Sequence, residues 1–151
     1  MSDYQQIKYL NHRYRELTEQ ATARADTYRA YVTLGMHIEG VQPDRVESDL
    51  VEAIEAFQKH MEEKTDVLCG VLIEEATVVC GEYEEPLRRL VLEQYPRFPQ
   101  NTLTLDWYVT ELALHVGLVL KQERVSVTTP STTYVYELSE LPKTLTRAIA
   151  P

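Results

Sequence analysis

Glycine is scarce in this chain, with five among 151 residues, and neither a G-x-x-x-x-G-K nor a G-x-G-x-x-G phosphate-cradling loop is present, since Val41 follows Gly40 where the first type needs lysine. No G-x-S-x-G elbow occurs either, so the commonest hydrolase nucleophile signature is missing. Only two cysteines exist, Cys69 and Cys80, inside the stretch Leu-Cys-Gly-Val-Leu-Ile-Glu-Glu-Ala-Thr-Val-Val-Cys-Gly, which excludes a disulfide framework. On a helix they would stand roughly 16 Å apart, beyond disulfide or shared-metal reach. They are expected to be core thiols, since free cysteine behaves as a small hydrophobe. The four histidines, His12, His37, His60 and His115, are scattered, and none follows a glutamate by three residues. The Glu-x-x-His ligands of a di-iron bundle are therefore absent. His12 with Glu16, and Glu111 with His115, read as helix-stabilising neighbours one turn apart. No metal and no cofactor are expected.

Long apolar runs are lacking too. Nothing approaches the ~20 residues of a membrane span, and no basic, then apolar leader opens the chain at Met1-Ser-Asp-Tyr. A cytoplasmic protein with reduced thiols is the expectation. At this length one domain over residues 1–151 is expected, with ordinary apolar (44%) and charged (26%) shares that argue against disorder over the whole chain.

What the chain does have is negative charge in one place. The net charge is −9. Acids and bases cancel in residues 1–43 and again in 96–151, leaving fourteen acids against five bases in 44–95. Such a segment repels phosphate backbones and attracts basic surfaces.

Hydrophobic spacing supplies the architecture. Ile7, Leu10, Tyr14, Leu17, Ala21, Arg24, Tyr28, Tyr31, Gly35 and Ile38 follow a 3-4 alternation, interrupted at Arg24 and Gly35. This predicts a helix over about 3–38, roughly 54 Å long, stopped by Gly40 and Pro43. Three of the tyrosines on that seam suit helix packing or an interface rim. Asp44 with Glu47 resembles a capping box, followed by the stripe Val46, Leu50, Ile54, Phe57 and Met61. The pattern runs on to Val79, so a second helix over 44–80 would pair with the first as a long antiparallel hairpin. A break near Thr65-Asp66 and a strand over Val67–Ile73 are the alternatives.

Beyond Gly81, Glu85-Pro86 predicts a short helix over 86–95, with proline at its first position. A helix follows over 105–116, stopped by Gly117. Period-two alternation then predicts strands at 123–128 and 133–138 around Thr-Pro-Ser-Thr, with a last short helix over 142–149. The fold class expected is mainly α (α+β): a hairpin over 1–80 and a smaller part over 82–151 with a winged-helix-like order of elements. Helix 105–116 carries two acids and no base, so a DNA reader is not expected.

These observations favour a non-enzymatic interaction protein (an assembly factor, adaptor or inhibitor) that offers an acidic 44–95 face to a basic partner. The candidate contacts are Glu52, Glu55, Glu62, Glu63, Glu74, Glu75, Glu82, Glu84 and Glu85. Self-association into a dimer or larger assembly is also expected, because a narrow hairpin has little core. A transcription regulator using helix 105–116 and hairpin 123–138, and an acidic DNA mimic, are the alternatives.

Overall fold

In the computed structural model, residues 2–36 and 43–147 are described. The elements are α1 (Asp3–Glu19), β1 (Arg29–Gly35), α2 (Pro43–Thr65), β2 (Leu72–Cys80), β3 (Tyr83–Glu93), α3 (Thr102–Val119), β4 (Arg124–Thr128), β5 (Thr133–Glu137) and α4 (Lys143–Arg147), with a 3-10 turn at Leu138–Glu140. The strands form one antiparallel sheet in the order β2-β3-β1-β4-β5. β1-α2-β2 steps over β3, and β3-α3-β4 steps over β1. Two interlocked split βαβ units of this kind make the ferredoxin-like arrangement, here extended by β5.

The expected long hairpin does not form, and the fold-class expectation is corrected. α1 ends at Glu19, and the segment read as its continuation contains β1 instead. The 3-4 spacing through Tyr28, Tyr31 and Gly35 is fortuitous. The burial of β1 follows period two, with Ala30, Val32 and Leu34 inside and Arg29, Tyr31 and Thr33 on the other face. β-branched and aromatic residues in that run favour the pleated backbone.

The second helix also stops early. Asp66 adopts a left-handed φ of 59°, and the Thr65 hydroxyl donates to the Met61 carbonyl while accepting from the Val67 amide. The chain then enters β2, so the strand alternative was right in kind but displaced toward the C-terminus. The segment read as a helix over 86–95 belongs to β3; Pro86 sits beside the Gly35↔Leu87 pair that ends the β1 ladder. The Gly40 stop signal lies outside the described residues, as do the Asp44 side chain and 148–149 of the last predicted helix.

Two expectations find their elements in place. α3 covers the predicted 105–116, and β4 and β5 form the predicted hairpin. Gly117 is inside α3, not a stop. A Cβ there would meet Val125 Cγ1 at 2.7 Å and Leu138 Cδ1 at 2.8 Å, so the glycine lets helix and sheet approach. The hairpin is no free wing, because β4 pairs with β1.

α2 and α3 pack on one face of the sheet. Val46, Leu50, Ile54, Phe57 and Met61 line α2's inner side, and Phe57 meets Tyr108 edge-on at 5.1 Å between ring centroids. Each fully buried aliphatic or aromatic side chain of this layer contributes about 1.5–3 kcal/mol. α1 buries no residue; Ser2 and Gln5 close a capping box at its start. No helix of the described residues is long and apolar enough to cross a membrane.

Candidate functional site

On the face of the sheet turned away from α2 and α3, the side-chain pattern follows from strand register. Thr33, Gly35, Glu85, Leu87, Arg124, Ser126 and Val135 all project from this side. With Tyr83, Lys121, Gln122 and Glu123 they line a hollow of about 760 Å³.

Local geometry fixes three of these groups. The Tyr83 hydroxyl donates to Glu85 Oε2 at 2.5 Å, and this bond, with smaller contributions from desolvation and the carboxylate's charge, raises the phenol above its usual value. A Cβ at position 35 would lie 2.9 Å from Glu85 Oε1, so Gly35 leaves the space that the carboxylate uses. The Gln122 amide donates to the Gly35 carbonyl at 3.1 Å and accepts from its N–H at 3.2 Å. Gln122 thereby extends sheet-like pairing past β4 and pins the end of β1 beneath the hollow.

Both signs of charge meet here. Glu85, Glu123, Lys121 and Arg124 all line the hollow, with Thr33, Ser126, Leu87 and Val135 among the other lining residues. Arg124 is engaged with Glu137 at 3.1 Å. Such a lining suits a small amphoteric ligand better than a purely cationic or anionic one. Among the described residues no group of three or more His, Cys, Asp or Glu could hold a metal ion.

A second, more apolar hollow of about 380 Å³ lies at the far end of the sheet, between Cys69, Leu72, Val91, Tyr95, Phe98 and Leu105. Gln94 holds the loop beside it through two bonds to the Gln100 backbone, at 2.7 and 2.9 Å. Cys69 is buried there, its thiol pushed up to about 11 by desolvation, whereas Cys80 is exposed at the end of β2. Only one of the two thiols therefore belongs to the core.

The nine acidic candidates do not form one face. Glu52, Glu55, Glu62 and Glu63 ride on α2, with Glu52 beside a small hollow near His115. Glu74 and Glu75 project from opposite sides of β2: Glu74 pairs with Arg29 at 2.7 Å, and Glu75 with Arg88 at 3.4 Å. Glu82 lies in the β2–β3 turn, and Glu84 alternates with Glu85 on β3. Glu85 alone enters the large hollow. Sequence reasoning missed Tyr83, Lys121, Gln122 and Arg124, which come from two regions almost forty residues apart. Gly35 was visible only as an interruption of a helical seam.

No family model matches the chain, and no curated protein matches it in sequence. Two solved structures share its fold. One is a phage SAM lyase in the apo state, 14% identical, with a TM-score of 0.50 over 76% of this chain and 92% of that one. The other is a phage SAM lyase in complex with S-methyl-5'-thioadenosine, 9% identical, with a TM-score of 0.51 over 82% and 98%. At such identities the likeness establishes the fold. It also overturns the non-enzymatic expectation, since this fold is one that enzymes use. The interaction-protein and DNA-mimic readings were built on one acidic 44–95 face that the sheet divides, and the winged-helix regulator on a free wing that β4's pairing with β1 removes.

Proposed function

We propose that this chain binds S-adenosylmethionine in the hollow above β1, β3 and β4 and breaks its bond from sulfur to the methionine-derived chain. S-methyl-5'-thioadenosine would be released. The observation that carries the reading is the amphoteric hollow built around Glu85, on a fold shared with phage SAM lyases, one of them in complex with that nucleoside.

The substrate's chemistry suits such a lining. It carries a sulfonium, an ammonium and a carboxylate, which the mixed charges of Glu85, Glu123, Lys121 and Arg124 complement. The substrate's own carboxylate oxygen bonds to its γ-carbon, closing a lactone as the carbon–sulfur bond breaks. The electron pair of that bond goes to sulfur, and the leaving group departs as a neutral thioether. No acid is needed to protonate it. The site's work is then orientation and electrostatics: Glu85, oriented by the Tyr83 hydroxyl, faces the cationic part, while the bases fix the tail.

Incubating the purified protein with S-adenosylmethionine and following S-methyl-5'-thioadenosine by chromatography tests this directly. Release above the spontaneous rate, lost in Glu85→Gln, is expected. Absence of product together with absence of calorimetric binding of either nucleoside would sink it.

Self-association also stands as a proposal. α1 leaves Ile7, Leu10, Tyr14 and Leu17 all more than half exposed, and an isolated helix of 17 residues is marginal in water. Light scattering should give a mass above 17.5 kDa; a monomer at all concentrations would reject it.

A further inference from the structure

Lys121 occupies a position that favours glycine. α3 ends in a Schellman arrangement: Leu120 is the C-cap, the Lys121 N–H donates to the Leu118 carbonyl at 3.2 Å, and the Gln122 N–H donates to the Gly117 carbonyl at 2.8 Å. The residue after the cap then has a left-handed backbone, and Lys121 has φ 54°. A Cβ is unfavourable there, which is why glycine dominates such positions. Helix termination therefore gains nothing from lysine. What the lysine adds is a long cation on the wall of the hollow that holds Glu85.

The neighbouring cation is already committed. Arg124 pairs with Glu137 at 3.1 Å, whereas among the described residues no carboxylate is paired with Lys121. Gln122, next in sequence, is tied to Gly35 by two hydrogen bonds, so the base of the lysine is held by the β1 end. A flexible stem on a fixed anchor, in a hollow that also holds Glu85, is a suitable receptor for a ligand's anionic end.

We infer that Lys121 is a specificity-determining residue of this hollow: it takes the carboxylate of an α-amino-acid tail, selecting nucleoside thioethers and sulfoniums that carry the tail over those that lack it. The inference rests on the proposed function and deepens it. Released S-methyl-5'-thioadenosine has no carboxylate, so the same residue would favour substrate over product.

Calorimetry with S-adenosylhomocysteine, which keeps the tail, and with S-methyl-5'-thioadenosine, which does not, tests it. The wild-type chain should prefer the tailed ligand by about tenfold or more, the scale of one charge-assisted contact. Lys121→Gly and Lys121→Gln should lose that preference while binding S-methyl-5'-thioadenosine within about twofold of wild type, and Lys121→Arg should keep it. Because glycine suits the backbone there, the melting temperature of Lys121→Gly should be unchanged or raised by about 2–4 °C. Lost affinity in a protein that is no less stable separates a binding role from a structural one. An unchanged ratio of the two affinities in Lys121→Gly and Lys121→Gln overturns the inference and leaves the proposed function standing. Wild-type binding of neither ligand overturns both.

Discussion

The two faces of the sheet are built from the same strands and differ in almost every property. On the helix side Ala30, Val32, Leu34, Leu90 and Leu92 are fully buried under α2 and α3. On the open side their neighbours Arg29, Tyr31 and Arg89 meet Glu74 and each other: Arg29 pairs with Glu74, and the Arg89 guanidinium lies 4.4 Å from the centre of the Tyr31 ring. One face is held by packing, which tolerates neither gaps nor extra atoms. The other is held by exposed polar contacts worth about 1 kcal/mol or less each, which leaves its side chains free to serve a ligand. On the proposed function, stability and chemistry fall to opposite sides of the same five strands.

Substitutions should separate the two faces. Phe57→Ala opens a cavity beneath Tyr108 and should lower unfolding free energy by about 3–5 kcal/mol in urea titrations, without changing which nucleosides bind. A loss under 1 kcal/mol would mean that the covered face is not the principal core. Glu85→Gln should do the reverse, cutting the proposed cleavage of S-adenosylmethionine by roughly 10²–10³-fold while moving stability by about 0.5 kcal/mol or less. Chromatography and melting curves on one preparation check both halves. Gly117→Ala forces a methyl onto Val125 and Leu138 and should cost about 1–3 kcal/mol, although alanine is the better helix former.

The smallest effect comes from the thiols. A maleimide should label Cys80 in the native protein and reach Cys69 only after unfolding. Burial raises the Cys69 thiol from 9.0 to about 11. A raised folded value means that the unfolded chain gives up its proton first as pH climbs. The stabilisation is complete below pH 9 and is lost as pH rises toward 11. The urea midpoint should fall over that window, and less steeply in Cys69→Ala; identical slopes would reject the assignment.

Legibility in the sequence followed the range of the interactions. The α2 stripe, α3 and the β4–β5 hairpin could be read because each is specified by its own periodicity. β1 and β3 could not. Tyr28, Tyr31 and Gly35 fall on a helical spacing by coincidence, and Pro86 suits a helix start as well as a strand flanked by the end of a ladder. Their strand state is decided by each other, through the register Arg29↔Glu93 to Gly35↔Leu87. The acidic surplus was counted correctly but misread as one surface. Period two sends Glu74 and Glu75 to opposite sides of β2, and arginines from β1 and β3 take up their charge.

By itself the sequence determined the stripe of α2, helix α3 and the C-terminal hairpin, because apolar period acts over a few residues. Tertiary structure alone decided that a segment with helical spacing becomes the central strand. It alone brought Tyr83, Glu85, Lys121 and Gln122 together around Gly35. Antiparallel pairing supplies backbone partners across more than fifty residues of chain, and no local pattern records which partner a strand will meet.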